Sequence, residues 1–201
     1  MSSTGLKKTR EEILDVAWKL VSAEGVDISL AEIAKAAGVS RQALYLHFSS
    51  RGGLLMALVE RADEQFKIEE KFGALQKVQS PVERLEKAIL LWLDFVVYIH
   101  PVATDLIRLR ATDDAAAAAW SSRMGKLKHG LRTLTGSLKK EGALRKDWSP
   151  RKAADYLWAS TSLQLWSLLT EECGWSQGEI RKTLCSTLTA TLLEQIPQPN
   201  P

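Results

Sequence analysis

The chain has 201 residues, 45% of them hydrophobic, which is enough for one small head plus one larger domain, or for a single mid-sized domain. A formal net charge of +3 gives no bulk nucleic-acid signal, and two cysteines, Cys173 and Cys185, exclude a disulfide scaffold. The polar start, Met1 to Lys8, has no apolar h-region behind it, and the longest apolar run, Ala88 to Ile99, is interrupted by Asp94; no signal peptide and no membrane span are expected, and the chain reads as cytoplasmic with reduced thiols.

The first informative stretch runs from Ser29 to Phe48. Ser29 and Glu32 form an S-x-x-E capping box, and Ile28 before it can serve as the hydrophobic staple. Ile33, Ala34 and Ala37 then fall on one helical face. Gly38 suits a left-handed helix stop, and Val39 is the apolar residue that packs back after it. Ser40 is the next N-cap. Only two residues separate the helices, so they cross steeply. In the second helix Ala43, Leu44 and Phe48 have core spacing, while Arg41, Gln42, Tyr45 and Leu46 cluster near its start and outer face. Arg and Gln carry the forks that read base edges in a major groove, and serine, tyrosine and helix N-termini bind phosphate. A helix-turn-helix reads double-stranded DNA with this part of its second helix. From Ile33 to Val59 there is no acidic residue, while Lys35, Arg41 and Arg51 are basic; a surface that approaches phosphates is cleared of carboxylates in this way.

These residues resemble the DNA-binding domain of the TetR family of bacterial transcriptional regulators. The positions in step with the family pattern are Ile13, Leu14, Ala17, Leu20, Gly25, Ser29, Ile33, Ala34, Ala37, Gly38, Val39, Ser40, Leu44, Tyr45, His47, Phe48, Arg51, Leu54 and Leu55. The resemblance covers about the first 60 residues. Two positions depart from it. Leu46 stands where a second aromatic is common, and Gly52-Gly53 stand where good helix formers are common. Two glycines weaken a helical turn by roughly 1 kcal/mol each relative to alanine, and they also let a backbone N–H approach a phosphate closely. The resemblance implies an all-α fold of about nine helices, with a three-helix reading head and a helical ligand-binding and dimerisation domain. Residues 1–52 are expected to form the head, 53–72 a shared helix able to transmit a change to it, and 73–201 the second domain. On this basis Ser29, Ser40, Tyr45, His47 and Arg51 are expected to hold phosphates. Arg41 and Gln42 are expected to read bases, with Leu46 making apolar contact.

Past residue 50 no segment shows sustained period-two alternation, so no sheet is expected. Ser80-Pro81-Val82-Glu83 opens a helix, and Pro101 is expected to break or kink it. Thr112-Asp113-Asp114 precedes a long helix ending at Gly142. Ser149-Pro150 opens another that ends near Gly174. Ser176 to Glu179 is a further capping box, and the Pro-rich end reads as a frayed tail. Trp92 and Phe95 share one helix face, Trp120, Met124 and Leu127 a second, and Trp158, Ser162 and Trp166 a third; an aromatic-lined cavity of this kind suits a small apolar or aromatic effector. Asp94 points away from the Trp92 stripe and reads as a solvated or paired surface acid. Leu157, Leu165 and Leu168, with Ile180, Leu184, Leu188 and Leu192 at steps of four, are expected to build a two-fold dimer as a four-helix bundle. The other side of the last helix, with Cys185, Thr187, Thr189 and Thr191, is small enough for close packing.

No enzyme chemistry is legible. His47, His100 and His129 are scattered and lack metal-ligand spacing; there is no G-x-S-x-G and no phosphate-binding glycine loop. No cofactor and no metal are expected. The expected function is a homodimeric, ligand-responsive DNA-binding repressor that recognises a palindromic operator and is released by its effector. The alternative is a helical ligand-binding or scaffold protein with a vestigial reading head.

Overall fold

The computed structural model describes residues 3–24 and 28–194, so the expected stop at Gly25 and the Pro-rich end lie outside the described residues. Among the described residues ten α-helices follow in order: α1 Ser3–Glu24, α2 Leu30–Ala36, α3 Arg41–Phe48, α4 Arg51–Phe66, α5 Ile68–Ala74, α6 Pro81–Leu109, α7 Asp114–Lys140, α8 Pro150–Ser160, α9 Leu163–Ser167 and α10 Gln177–Leu192. A 3₁₀ turn at Leu75–Lys77 follows α5, and a π turn at Leu168–Glu172 follows α9. Among the described residues the only β pairing is an isolated bridge between Leu144 and Leu193. The all-α expectation holds.

Three sequence boundaries are redrawn. The helix expected over 53–72 is broken at Lys67, whose φ of 53° is left-handed. Pro101, by contrast, does not break α6, which runs through it for 29 residues. Ile99, Val102, Ala103 and Leu106 are all buried around that position, and their burial outweighs the lost backbone donor. Finally, the helix expected from Pro150 to near Gly174 stops at Ser160 and restarts at Leu163. Ser162 accepts a bond from the Leu165 N–H at 3.2 Å and so caps the restart.

The chain packs as two compact units, one of residues 1–66 with 98–123, the other of 67–97 with 124–201. In the first unit the expected stripe of α1, Ile13, Leu14 and Ala17, is buried with Ile33, Leu44, Phe48, Leu54 and Leu58; Val102 and Leu106 of α6 and Ala116 of α7 belong to the same cluster. In the second unit Leu85, Leu93 and Phe95 of α6, Leu138 of α7, Leu157 of α8 and Ile180, Leu188 and Leu192 of α10 are buried. Polar ties close it. Arg84 donates to Glu141, Arg181 to Asp94, and the Thr135 hydroxyl to the Pro150 carbonyl at 2.8 Å. Asp94 is thus a paired surface acid. The helices that continue from one unit into the other are α6 and α7. α6 is long and apolar enough to cross a bilayer by length and composition, but more than half of its most apolar window is buried inside the protein, as in a core helix.

Candidate nucleic-acid interface

The start of α2 is fixed by its capping box. The Glu32 N–H donates to Ser29 Oγ at 3.2 Å, and Glu32 Oε2 accepts from both the Ser29 N–H and the Ser29 hydroxyl at 2.7 Å. These bonds hold the Glu32 carboxyl below the usual carboxylate range. They also commit the Ser29 hydroxyl proton to Glu32, so Ser29 sets the helix and does not donate outward. At the other end Gly38 has φ 69°. The Val39 N–H donates to Ala34 O at 2.9 Å and the Gly38 N–H to Lys35 O at 3.2 Å, which is a Schellman stop. Ser40 then caps α3 by accepting from the Ala43 N–H at 3.1 Å.

This sharp turn splits α3 into two faces. Leu44 and Phe48 are 1% and 4% exposed and lock the helix into the head. Arg41, Gln42, Tyr45 and Leu46 are exposed, and Leu46 is 87% exposed. An outward face with a guanidinium, an amide, a phenol and a bare leucine can read donors, acceptors and methyl groups in a groove. His47 is half-buried beside the Phe48 ring, centroids 6.0 Å apart. The Arg10 guanidinium lies 5.2 Å above that same ring. Sequence reasoning missed Arg10, because no local motif links α1 to the end of α3.

The turn from α3 to α4 settles the meaning of the two glycines. A Cβ on Gly53 would lie 2.1 Å from the Phe48 carbonyl oxygen, and one on Gly52 would lie 2.8 Å from the Ala116 Cβ and 3.0 Å from a carboxylate oxygen of Asp113. Both are close-approach glycines. The Gly53 N–H donates to Ser50 Oγ at 3.0 Å, so its donor is already used within the turn. Arg51 also differs from expectation. Its guanidinium donates to the Asp105 carboxylate, with the Nε bond at 2.9 Å, and to the Ile28 carbonyl. The two side chains are only 22% and 10% exposed. Arg51 therefore ties the start of α4 to α6 and to the residue before the α2 cap, and is not available to a phosphate. The acid that captures it lies 54 residues away, with no signal in the local sequence.

The expected ligand residues divide between the two units. Trp120 belongs to the first, packed on the head cluster with the Arg110 guanidinium 5.5 Å from its ring. In the second unit the Trp92 indole N–H donates to the Thr161 carbonyl at 2.9 Å, a group freed by the break after α8. The Trp92 and Phe95 rings are 5.7 Å apart, and Phe95 and Trp166 are buried. Lys128 places its ammonium 3.7 Å over the Trp158 ring. Met124 and Leu127 are half-buried on α7. Ser162 is a helix cap, its hydroxyl accepting a backbone donor. Of the expected dimer residues, Leu157, Ile180, Leu188 and Leu192 are at most 2% exposed and serve the chain's own core. Leu165 and Leu184 are half-buried, and Leu168 is exposed. The α10 face left outward carries Thr183, Ser186, Thr187 and Ala190; of the small side expected from the sequence only Thr187 is on it, while Cys185, Thr189 and Thr191 are half-buried. Cys185 donates weakly to the Glu86 carbonyl at 3.7 Å, and burial pushes its thiol up. Among the described residues no group of three or more His, Cys, Asp or Glu could hold a metal ion.

Residues 13–58 match the family model described as bacterial regulatory proteins, tetR family. Over 58 residues the chain is 48% identical to the HTH-type transcriptional regulator AcrR of Shigella flexneri, covering 28% of this chain and 27% of that one. Over 54 residues it is 43% identical to the uncharacterized HTH-type transcriptional regulator TtgW of Pseudomonas putida, covering 26% and 40%. The matches therefore span well under half the length of these curated relatives. The fold is shared over almost the whole chain. A regulator from Saccharomonospora viridis solved with choline superposes with a TM-score of 0.76 at 19% identity, covering 94% of this chain and 100% of that one. NalD of Pseudomonas aeruginosa, the secondary repressor of the MexAB-OprM multidrug efflux pump, superposes with a TM-score of 0.70 at 21% identity, covering 95% and 100%.

Proposed function

Because the N-terminal head of this chain belongs to the tetR family of bacterial regulatory proteins, we propose that the protein is a transcriptional regulator that reads DNA through α3. The observation that carries this is the split of α3, whose inner side is locked by Leu44 and Phe48 while Arg41, Gln42, Tyr45 and Leu46 stand outward. In this proposal Arg41 and Gln42 read base edges, Leu46 meets a thymine methyl, and Ser40, Tyr45 and His47 position the phosphate backbone. Arg10, near the end of α3, joins the backbone contacts. Arg51 and Ser29 act as positioning residues, through Asp105 and Glu32.

The active form is a homodimer on a palindromic operator, since two heads joined by a two-fold axis read two half-sites. Its interface uses the outward small-residue face of α10 together with Tyr156 and Ala159 of α8. The protein acts as a repressor in the cytoplasm, released by a small effector that binds the aromatic cluster around Trp92, Phe95 and Trp166. A cationic effector is the second reading, since a quaternary ammonium seats on an aromatic face and the relative from Saccharomonospora viridis was solved with choline; Trp158 is not its seat, because Lys128 already covers that ring at 3.7 Å.

The test is binding of the full chain to fragments flanking its own coding region, at two salt concentrations and with random DNA as competitor. Tight binding that survives competitor and gives a palindromic footprint is expected. If neither these fragments nor a genome-wide selection yields such binding, the head is vestigial and the helical scaffold reading takes its place.

A further inference from the structure

The head is not where this chain keeps its positive charge. Residues 124–152 hold nine Lys and Arg against two acids, a net of +7, so the other 172 residues together carry −4. Lys126, Arg132, Lys140, Lys146 and Lys152 are exposed, and no ion pair from the described residues reaches any of them. Neither acid within the segment reaches them. Glu141 is held by the buried Arg84 outside it, and Asp147 by Arg145, itself one of the nine. Like charges at this density repel one another in the free protein.

The shape of the face matches its charge. On α7, Lys126, His129, Thr133, Gly136 and Lys140 succeed one another at steps of three and four, which places them on one side. Gly125, Gly130 and Gly136 lie in the same helix, and a Cβ on any of them would meet nothing within 4 Å. Glycine weakens a helix interior, and no packing within the chain requires it at these three positions. Gly136 lowers the ridge itself, and Gly125 and Gly130 flank it on opposite sides, so a partner's backbone can approach the ridge closely. From Lys126 to Lys140 the ridge is about 21 Å long, opposite roughly a dozen duplex phosphates.

We propose that the outward face of α7 and the loop after it form a second, sequence-independent DNA-contacting surface, distinct from α3, that takes the phosphate backbone of a duplex. The chemistry selects this occupant. The large apolar side chains exposed among the described residues are Tyr45, Leu46, Tyr156, Leu168 and Trp175, and none lies within 124–152. Protein partners need apolar or aromatic anchors and disfavour lysine, and membrane-surface helices bury an apolar face. Phosphate contacts need only lysine, arginine, hydroxyls and close backbone. The choice of DNA as the polyanion rests on the regulator reading.

The experiment compares the full-length protein with K126Q/R132Q/K140Q/K146Q and with an α3 variant, R41A/Q42A. Each is titrated with a 30-bp random duplex and with a fragment recovered by genomic selection, over a series of salt concentrations. The α7 variant is expected to bind the random duplex about 10- to 100-fold more weakly at low salt, with the log–log salt slope reduced by about 3 to 4. The single changes Lys126→Gln and Lys146→Gln each reduce it by about 1, which keeps the test alive if the quadruple variant does not fold. K126R/K140R/K146R retains the slope. The α3 variant loses preference for the selected fragment and keeps its binding to the random duplex. An unchanged slope in correctly folded α7 variants overturns the proposal, as does an α7 variant that keeps its duplex binding while losing binding to phosphatidylserine vesicles titrated alongside. If the wild type selects no fragment while the α7 variant still loses slope, the regulator reading fails and this surface stands. Selection intact with an unaltered slope gives the reverse.

Discussion

Glycines stand inside two helices of this chain for opposite reasons. At the start of α4, Gly52 and Gly53 sit so close to Ala116, Asp113 and the Phe48 carbonyl that no side chain fits. In α7, Gly125, Gly130 and Gly136 have open space where a Cβ would be. The first region is fully committed within the fold, with Arg51 bound to Asp105 and the Gly53 N–H bound to Ser50. The second is a cationic surface on which Lys126, Arg132 and Lys140 form no ion pair among the described residues. The same residue type thus marks a tight internal joint in one place and an unoccupied face in another, and only the distance to the next atom tells them apart.

That contrast can be broken at the joint first. Asp105→Ala leaves the Arg51 guanidinium poorly exposed and without its carboxylate, and it is expected to destabilise the protein by about 4 kcal/mol in urea unfolding. A loss below about 1 kcal/mol would mean that Arg51 finds solvent and that the joint is loose. Gly53→Ala drives a methyl into backbone and is expected to remove about 3 kcal/mol, with a matching loss of DNA binding. Unaltered melting of that variant would show that the turn has room to spare. On the outward face of α3, Gln42→Ala should leave stability unchanged and reduce discrimination between selected and random DNA by about 1–3 kcal/mol. Equal losses on every sequence would remove Gln42 as a reader. In α7 the sign reverses. Gly125→Ala should stabilise the fold by about 0.5–1 kcal/mol, since the added methyl meets nothing. Destabilisation there would point to a contact within the free protein.

The smallest effect concerns pH. The Glu179 carboxyl accepts from the Ser176 hydroxyl and N–H and is held below its ordinary value. A depressed carboxylate contributes stability above its unfolded value and loses it as pH falls through the folded one. Glu179→Gln should therefore flatten the acid side of the stability curve slightly, by lowering stability at neutral pH toward its acid value. A curve for the variant that keeps the wild-type acid slope would assign that slope to other carboxylates.

Much of the N-terminal head is legible in the order of its residues. The capping box at Ser29, the stop at Gly38 and the cap at Ser40 are bonds between residues no more than a few positions apart, so the residue types alone specify them, as they do the box at Ser176 in the second unit. The outward set on α3 follows from helical spacing in the same way. The second unit is less legible, because its apolar residues surround the helices and period alone does not say which neighbour covers which side. Ile180, Leu188 and Leu192 keep the spacing expected of a dimer seam, yet they face the chain's own core.

The sequence by itself therefore determined the helical class, most helix starts, the outward face of α3 and the concentration of charge in residues 124–152. All of these depend on neighbours in sequence or on composition. Tertiary structure alone decided that α6 passes through Pro101, that Arg51 turns inward to an acid 54 residues away, that Trp120 joins the head, and that one pair of glycines is packed while three others lie open. Each of those outcomes depends on which distant atoms come within a few ångströms, and no local periodicity encodes that distance.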